Sequence, residues 1–101
     1  MEKYNFKIKY SGAGVYCIKN LINEKSYIGS SSNILSRWRQ HLRALEKGNH
    51  HSKILQRAYN KYGLEDFEFI ILEKCEKSKN IIVELEQLYL DSKKPEYNCY
   101  P

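Results

Sequence analysis

Two tyrosines, Tyr16 and Tyr27, stand in short strand-forming stretches, Gly14-Val15-Tyr16 and Tyr27-Ile28-Gly29, with ten residues between them. Further on come Arg37, His41, His50 and Glu86. Together these side chains can form a phosphodiester-cleaving site. That reaction needs a deprotonated water, neutralisation of charge on the phosphate and support for the leaving oxygen. Taken singly, none of them says much. Tyrosines in strands are ordinary core material, Arg37 and His41 suit a helix surface, Glu86 suits a solvated helix margin, and the doublet His50-His51 suits a polar loop.

The elements that must position this set are legible from periodicity. Ser11-Gly12-Ala13-Gly14 reads as a flexible lead-in, after which Val15 to Lys19 and Ser26 to Ser30 alternate in the manner of strands. Asn20 and Asn23 suit a hairpin turn centred on Leu21-Ile22. In that register residues whose numbers sum to 43 face each other, and Tyr16 pairs with Tyr27. Ser30-Ser31-Ser32-Asn33 offers helix N-caps. Beyond it, Ile34, Leu35, Trp38, Leu42 and Leu45 share one helical face, with Gly48 as a stop. Arg37 and His41, four residues apart, lie on one side of that helix and flank its apolar stripe.

A second helix is predicted from about Ser52 to Tyr62, with Ile54, Leu55, Ala58 and Tyr62 facing inward and Gly63 ending it. Phe67 to Leu72 reads as a third strand, largely buried towards its end. A third helix runs from about Lys79 to Asp91 on a stripe of Ile81, Ile82, Leu85, Leu88 and Tyr89, with Glu84 and Glu86 on opposite margins. Pro95 ends regular structure, and the tail Tyr97 to Pro101 packs back on the sheet. The order β-β-α-α-β-α predicts an α+β domain in which helices cover a small sheet.

A chain of 101 residues fits one such domain; residues 1–12 read as a polar N-terminal extension and 13–101 as the domain. No segment approaches the roughly 20 apolar residues of a membrane span, and Met1 to Tyr10 lacks the apolar run of a signal peptide, so an intracellular location is expected. Cys17, Cys75 and Cys99 are odd in number and widely separated, which argues against a disulfide framework or structural zinc. Cys17, inside an apolar strand, reads as a small core residue. Seventeen Lys and Arg against twelve Asp and Glu give a net charge of +5, compatible with a phosphate-rich partner. Arg37, Arg39, Arg43 and Lys47 crowd one segment, followed by Lys53, Arg57 and Lys61.

The residues from Gly14 through Tyr16, Tyr27-Ile28-Gly29, Arg37-Trp38, His41, Glu86 and Tyr97-Asn98 resemble the GIY-YIG nucleases, with Val15 in place of the first motif's isoleucine. Order and spacing agree over nearly the whole chain. Glu46-Lys47-Gly48-Asn49-His50, Leu55-Gln56-Arg57 and Asn60-Lys61 bring it closest to the catalytic domains of phage and organelle intron-encoded homing endonucleases. The resemblance implies a three-stranded antiparallel sheet flanked by about three helices. It also implies metal-dependent cleavage of double-stranded DNA.

Under that resemblance Glu86, and not Glu84, carries the divalent metal, Mg²⁺ or another such as Mn²⁺. A single carboxylate leaves most of the coordination to water and phosphate, as suits Mg²⁺. Tyr16 or Tyr27 activates or positions the water, and the sequence leaves open which. Arg37 neutralises phosphate charge with its planar fork. His41 relays a proton or holds one of the tyrosines, His50 supports the site, and Asn98 anchors it from the tail. Arg39, Arg43, Lys47 and Arg57 are the candidate DNA contacts. His51 has no counterpart in the resemblance.

A structure-specific repair nuclease and a non-cleaving, DNA-binding remnant of a longer endonuclease are the alternative readings. Homing enzymes of this kind usually carry a further DNA-binding region, so target choice is expected from such a region or from a protein partner. Richness in Lys, Asn, Ile and Tyr fits an AT-rich genome, whether of a phage, a bacterium or an organelle.

Overall fold

The hairpin that carries both tyrosines is closed by one asparagine. In the computed structural model, which describes residues 9–98, strand β1 (Ala13–Asn20) and strand β2 (Ser26–Ser31) pair antiparallel. The Asn20 side-chain oxygen accepts from the N–H of Ile22 at 2.8 Å and of Asn23 at 3.4 Å, an Asx turn. Glu24 takes a left-handed φ of 64° and donates its N–H back to the Asn20 carbonyl. The connection is therefore a four-residue loop from Leu21 to Glu24, in place of the expected tight turn. Partner numbers sum to 45 instead of 43: Tyr16 stands opposite Gly29, and Tyr27 opposite Ile18. A slip of two keeps every side chain on its face, so Tyr16 and Tyr27 are diagonal neighbours on one face of the sheet.

Strand β3 (Phe67–Cys75) pairs antiparallel with the other side of β1, giving the order β2-β1-β3. A bulge between Val15 and Tyr16 marks this pairing. Ala13 and Gly14, expected in a flexible lead-in, are instead the buried first residues of β1. A side chain at Gly14 would collide with the Glu73 carbonyl of β3, so only glycine allows the two strands this close. As an edge strand, β3 is only half-buried from Phe69 to Glu73, so the expected large burial towards its end is not found.

Helix α1 (Ile34–Lys47) starts at Asn33, whose side chain accepts from the Ser36 N–H, and is capped by Gly48. Helix α2 (Lys53–Tyr62) starts at Ser52, whose hydroxyl accepts from the Leu55 N–H. A single 3₁₀ turn, Leu64–Asp66, leads into β3, and helix α3 (Lys79–Lys93) follows. The fold is thus α+β in the order β-β-α-α-β-α, a three-stranded antiparallel sheet between helices.

The sheet separates two apolar layers. Tyr16, Ile18 and Tyr27 pack with Ile34, Trp38, Leu42, Leu45, Leu55 and Tyr97 under α1 and α2. On the opposite face Val15, Cys17 and Ile28 pack against Leu85, Tyr89 and Leu90 of α3. Cys17 is the small core residue expected.

Two predicted stripes need correction. Ile54 is 45% exposed, and the polar Gln56 is buried instead, held by hydrogen bonds to the Leu45 carbonyl and the His50 N–H. On α3, Ile81 and Leu88 are exposed, because the face turned to the sheet is formed by Leu85, Tyr89 and Leu90, with Ile82 buried beside them.

The tail returns to the sheet as expected. The Tyr97 N–H donates to the Ser26 carbonyl at 2.9 Å. Residues 1–8 of the proposed extension, and Cys99 to Pro101 of the tail, lie outside the described residues. Among the described residues no helix is long and apolar enough to cross a membrane.

Candidate active site

Tyr16 is only 1% exposed, and its hydroxyl crosses β2 over Gly29. Phe69 stacks against its ring at 5.3 Å, and His41 meets it edge-on at 5.5 Å. These contacts leave its hydroxyl one direction, towards α1. There His41 Nε2 lies 2.5 Å from the Tyr16 oxygen.

His41 is the first link of a chain whose polarity can be deduced. Its Nδ1 lies 2.7 Å from Nε2 of His50, and Nδ1 of His50 accepts from the Ser52 backbone N–H at 3.0 Å. An amide N–H can only donate, so Nδ1 of a neutral His50 is bare and its proton sits on Nε2. That proton is donated to Nδ1 of His41, and His41 in turn donates from Nε2 to the Tyr16 oxygen. Both rings are held neutral. His41 is pushed down to about 3, by burial above all and then by His50, Arg37 and His51. His50 is pushed down to about 4, again by burial first and then by His51. Of the two roles expected for His41, this geometry serves holding a tyrosine. Accepting the Tyr16 proton would drive a proton onto Nδ1 of His50, against the Ser52 N–H.

Tyr16 itself is shifted well above its ordinary value of 10, by burial first and next by Tyr27, with Glu86 adding to the rise and Arg37 opposing it. Those four side chains therefore share one electrostatic neighbourhood, assembled from β1, β2, α1 and α3. Arg37 is half-buried on α1, and its Nη1 donates to Gln40 Oε1 at 2.9 Å.

Glu86 reaches the group from the layer below the sheet. Its Oε1 accepts from the Ser30 hydroxyl at 2.7 Å, while among the described residues Oε2 has no hydrogen-bond partner. No cluster of three His, Cys, Asp or Glu side chains among the described residues is arranged to hold a metal. One half-buried carboxylate with a free oxygen suits a hard cation that keeps most of its water. Glu84, by contrast, faces outward into a shallow groove with Lys79, Asn80, Val83 and Gln87.

Asn98 works through the backbone of β2. Its Oδ1 accepts from the Ile28 N–H at 2.8 Å and its Nδ2 donates to the Ile28 carbonyl at 2.7 Å. It clamps the strand between Tyr27 and Gly29. Arg39, Arg43, Lys47 and Arg57 are all exposed on the outer faces of α1 and α2, away from the tyrosines.

Three polar residues of the site escaped the sequence reading. Ser30 orients Glu86, and Ser52 fixes the histidine chain. His51, set aside as a loop residue, places Nε2 2.9 Å from the Tyr27 hydroxyl. Its only trace in the sequence is the doublet it forms with His50.

Comparisons with known proteins identify the family and the fold. The GIY-YIG catalytic domain family matches residues 12–98. The chain is 41% identical over 88 residues to intron-associated endonuclease 1 of Enterobacteria phage T4, covering 87% of this chain but 36% of that protein. It is 41% identical over 61 residues to the probable intron-encoded endonuclease 1 of Neurospora crassa, covering 59% of this chain and 18% of that one. The structure of the catalytic domain of homing endonuclease I-TevI superposes with a TM-score of 0.80 at 40% identity, over 88% of this chain and 99% of that one. A mutant of the same catalytic domain gives 0.78 at 39% identity.

Proposed function

The chain belongs to the GIY-YIG catalytic domain family, and from that premise we propose that it is a divalent-metal-dependent endonuclease hydrolysing phosphodiester bonds of double-stranded DNA. The observation that supports this most is the convergence of Tyr16, Tyr27, Arg37 and Glu86 on one electrostatic neighbourhood from four separate elements. A shared task accounts for polar side chains from both layers of the domain acting on one another.

The division of labour follows from the hydrogen bonds. The Tyr16 oxygen already accepts a hydrogen bond from the His41 Nε2–H, so its own hydroxyl hydrogen is turned outward to the ligand. Tyr16 stays protonated at neutral pH and acts as a donor that orients a phosphate oxygen or the attacking water. Arg37 lies beside it and neutralises charge gathering on phosphorus. Glu86 is the residue that would hold Mg²⁺ or Mn²⁺, with Ser30 fixing one carboxylate oxygen. When bound, such a cation supplies Lewis-acid stabilisation of the phosphate and the leaving oxygen. Arg39, Arg43, Lys47 and Arg57 bind the DNA backbone. We assign target choice to a separate region or partner, because the phage T4 relative matches over 36% of its length alone.

The test is nicking of supercoiled plasmid with and without Mg²⁺, using the wild-type chain and Glu86→Ala. Mg²⁺-dependent nicking that Glu86→Ala abolishes is expected. Activity that survives Glu86→Ala would overturn the metal assignment, and a wild-type chain inert on every DNA form would overturn the reading itself.

A further inference from the structure

We infer that His51 is the proton exit of this site: it receives the Tyr27 hydroxyl proton at Nε2 as Tyr27 takes one from the attacking water, and passes it to solvent. The inference rests on the endonuclease reading above and decides which tyrosine handles the water's proton.

The two tyrosines each meet a histidine, but the two pairs differ in what lies beyond. Behind Tyr16, the chain through His41 and His50 ends on the Ser52 amide and runs towards the tyrosine, so no proton can leave that way. Behind Tyr27 stands a ring that opens to water. His51 is exposed, and its Nε2 is 2.9 Å from the Tyr27 oxygen. The contact is held by ring packing. His51 stacks on His50 with centroids 4.4 Å apart and planes 24° from parallel, and it meets the Tyr27 ring edge-on at 5.8 Å.

The groups facing His51 are Tyr27 from β2, His41 and Arg37 from α1, and His50 beside it in the loop. Among the described residues no carboxylate is one of them to trap an imidazolium. Burial, and then the Arg37 charge, shift the His51 ring below its ordinary 6.5. At neutral pH the ring is therefore uncharged, and with its one proton on Nδ1 it accepts from Tyr27 at Nε2; once charged it loses its extra proton readily.

The step balances. A water O–H bond breaks and its proton bonds to the Tyr27 oxygen, while the Tyr27 O–H bond breaks and that proton bonds to His51 Nε2. The hydroxide adds to phosphorus, and the ester P–O bond breaks with its electron pair leaving on oxygen, which takes a proton from solvent. His51 then returns its extra proton to water. His51 acts on the water only through Tyr27, so it is a positioning residue for that tyrosine.

The experiment compares the wild-type chain with His51→Gln, His51→Ala, Tyr27→Phe and the Tyr27→Phe/His51→Gln double variant. Mg²⁺-dependent plasmid nicking is followed from about pH 5 to about pH 8, the range over which histidine titrates. Expected are a fall in kcat of about 10²-fold for His51→Gln, the low end for a positioned proton acceptor, and no change in KM for DNA. The wild-type acid limb below pH 6.5 disappears in His51→Gln. The double variant is no slower than Tyr27→Phe, and added imidazole restores His51→Ala.

A His51→Gln chain as fast as wild type with the same acid limb, or losses that multiply in the double variant, would overturn the inference. If wild type leaves DNA uncut, the endonuclease reading fails and the pair is judged by NMR titration of His51. A titration that moves in Tyr27→Phe upholds the proton-sharing pair, and one that does not move overturns it.

Discussion

Gly29 stands opposite Tyr16 in the hairpin, and a methyl group at Gly29 would lie 2.5 Å from the Tyr16 hydroxyl. The glycine of the second motif thus has a definite partner in the tyrosine of the first: it clears the path by which that hydroxyl reaches His41.

Gly29→Ala is therefore expected to push the Tyr16 ring away from His41 while leaving the strands paired. Overpacking of this kind costs about 1–3 kcal/mol, small enough for the domain to stay folded. DNA nicking should fall much further than stability does. Thermal unfolding and plasmid nicking on one preparation check this, and a variant with wild-type nicking would contradict it.

The histidine chain predicts a pH dependence of stability. His41 and His50 titrate at about 3 and about 4 in the fold, against an ordinary 6.5. Below 6.5 the unfolded chain binds protons that the folded chain refuses. Their contribution is complete above 6.5 and is lost as pH falls towards 4 and then 3, by up to about 1.4 kcal/mol per pH unit for each ring. Urea unfolding at stepped pH is the measurement, and His50→Gln should make the decline shallower.

In the proposed mechanism Arg37 neutralises charge on the phosphate, so Arg37→Ala should lower kcat by about 10²-fold or more, as loss of one donor to a developing oxyanion does. Arg37→Lys should recover little, because a point charge lacks the planar fork that binds two phosphate oxygens. Single-turnover cleavage separates this loss from weaker DNA binding.

The Asn98 clamp predicts a loss of stability that spreads to the chemistry. Asn98→Ala removes two hydrogen bonds to Ile28, worth about 1–3 kcal/mol together. It also frees β2 on either side, at Tyr27 and Gly29. A lower melting temperature with a larger drop in nicking is expected. Asn98→Asp keeps the acceptor for the Ile28 N–H and should fall between the two.

How much was legible in the sequence depended on whether a signal was local. Helix α1 could be read almost to the residue, because Asn33, its apolar stripe and Gly48 all lie within it. The hairpin register missed by two, because the turn is set by the Asn20 side chain, Glu24 in a left-handed conformation and a bond from the Leu21 N–H to the Asp66 carbonyl. Ile54, Ile81 and Leu88 were placed inward by hydrophobicity, whereas the width of the surface beneath each helix decided otherwise. Tyr16, Tyr27, Arg37, His41 and Glu86 were findable through family spacing. His51, Ser30 and Ser52 act through contacts between elements, and no periodicity announces them.

The bonds from Asn98 to Ile28 span 70 residues of sequence. A chain emerging from the ribosome displays both tyrosines, Arg37 and all three histidines long before it can fasten the strand that aligns them. Glu86 and the clamp are the last members of the set to be made. The site proposed above is thus completed only once residues 86 to 98 have been made.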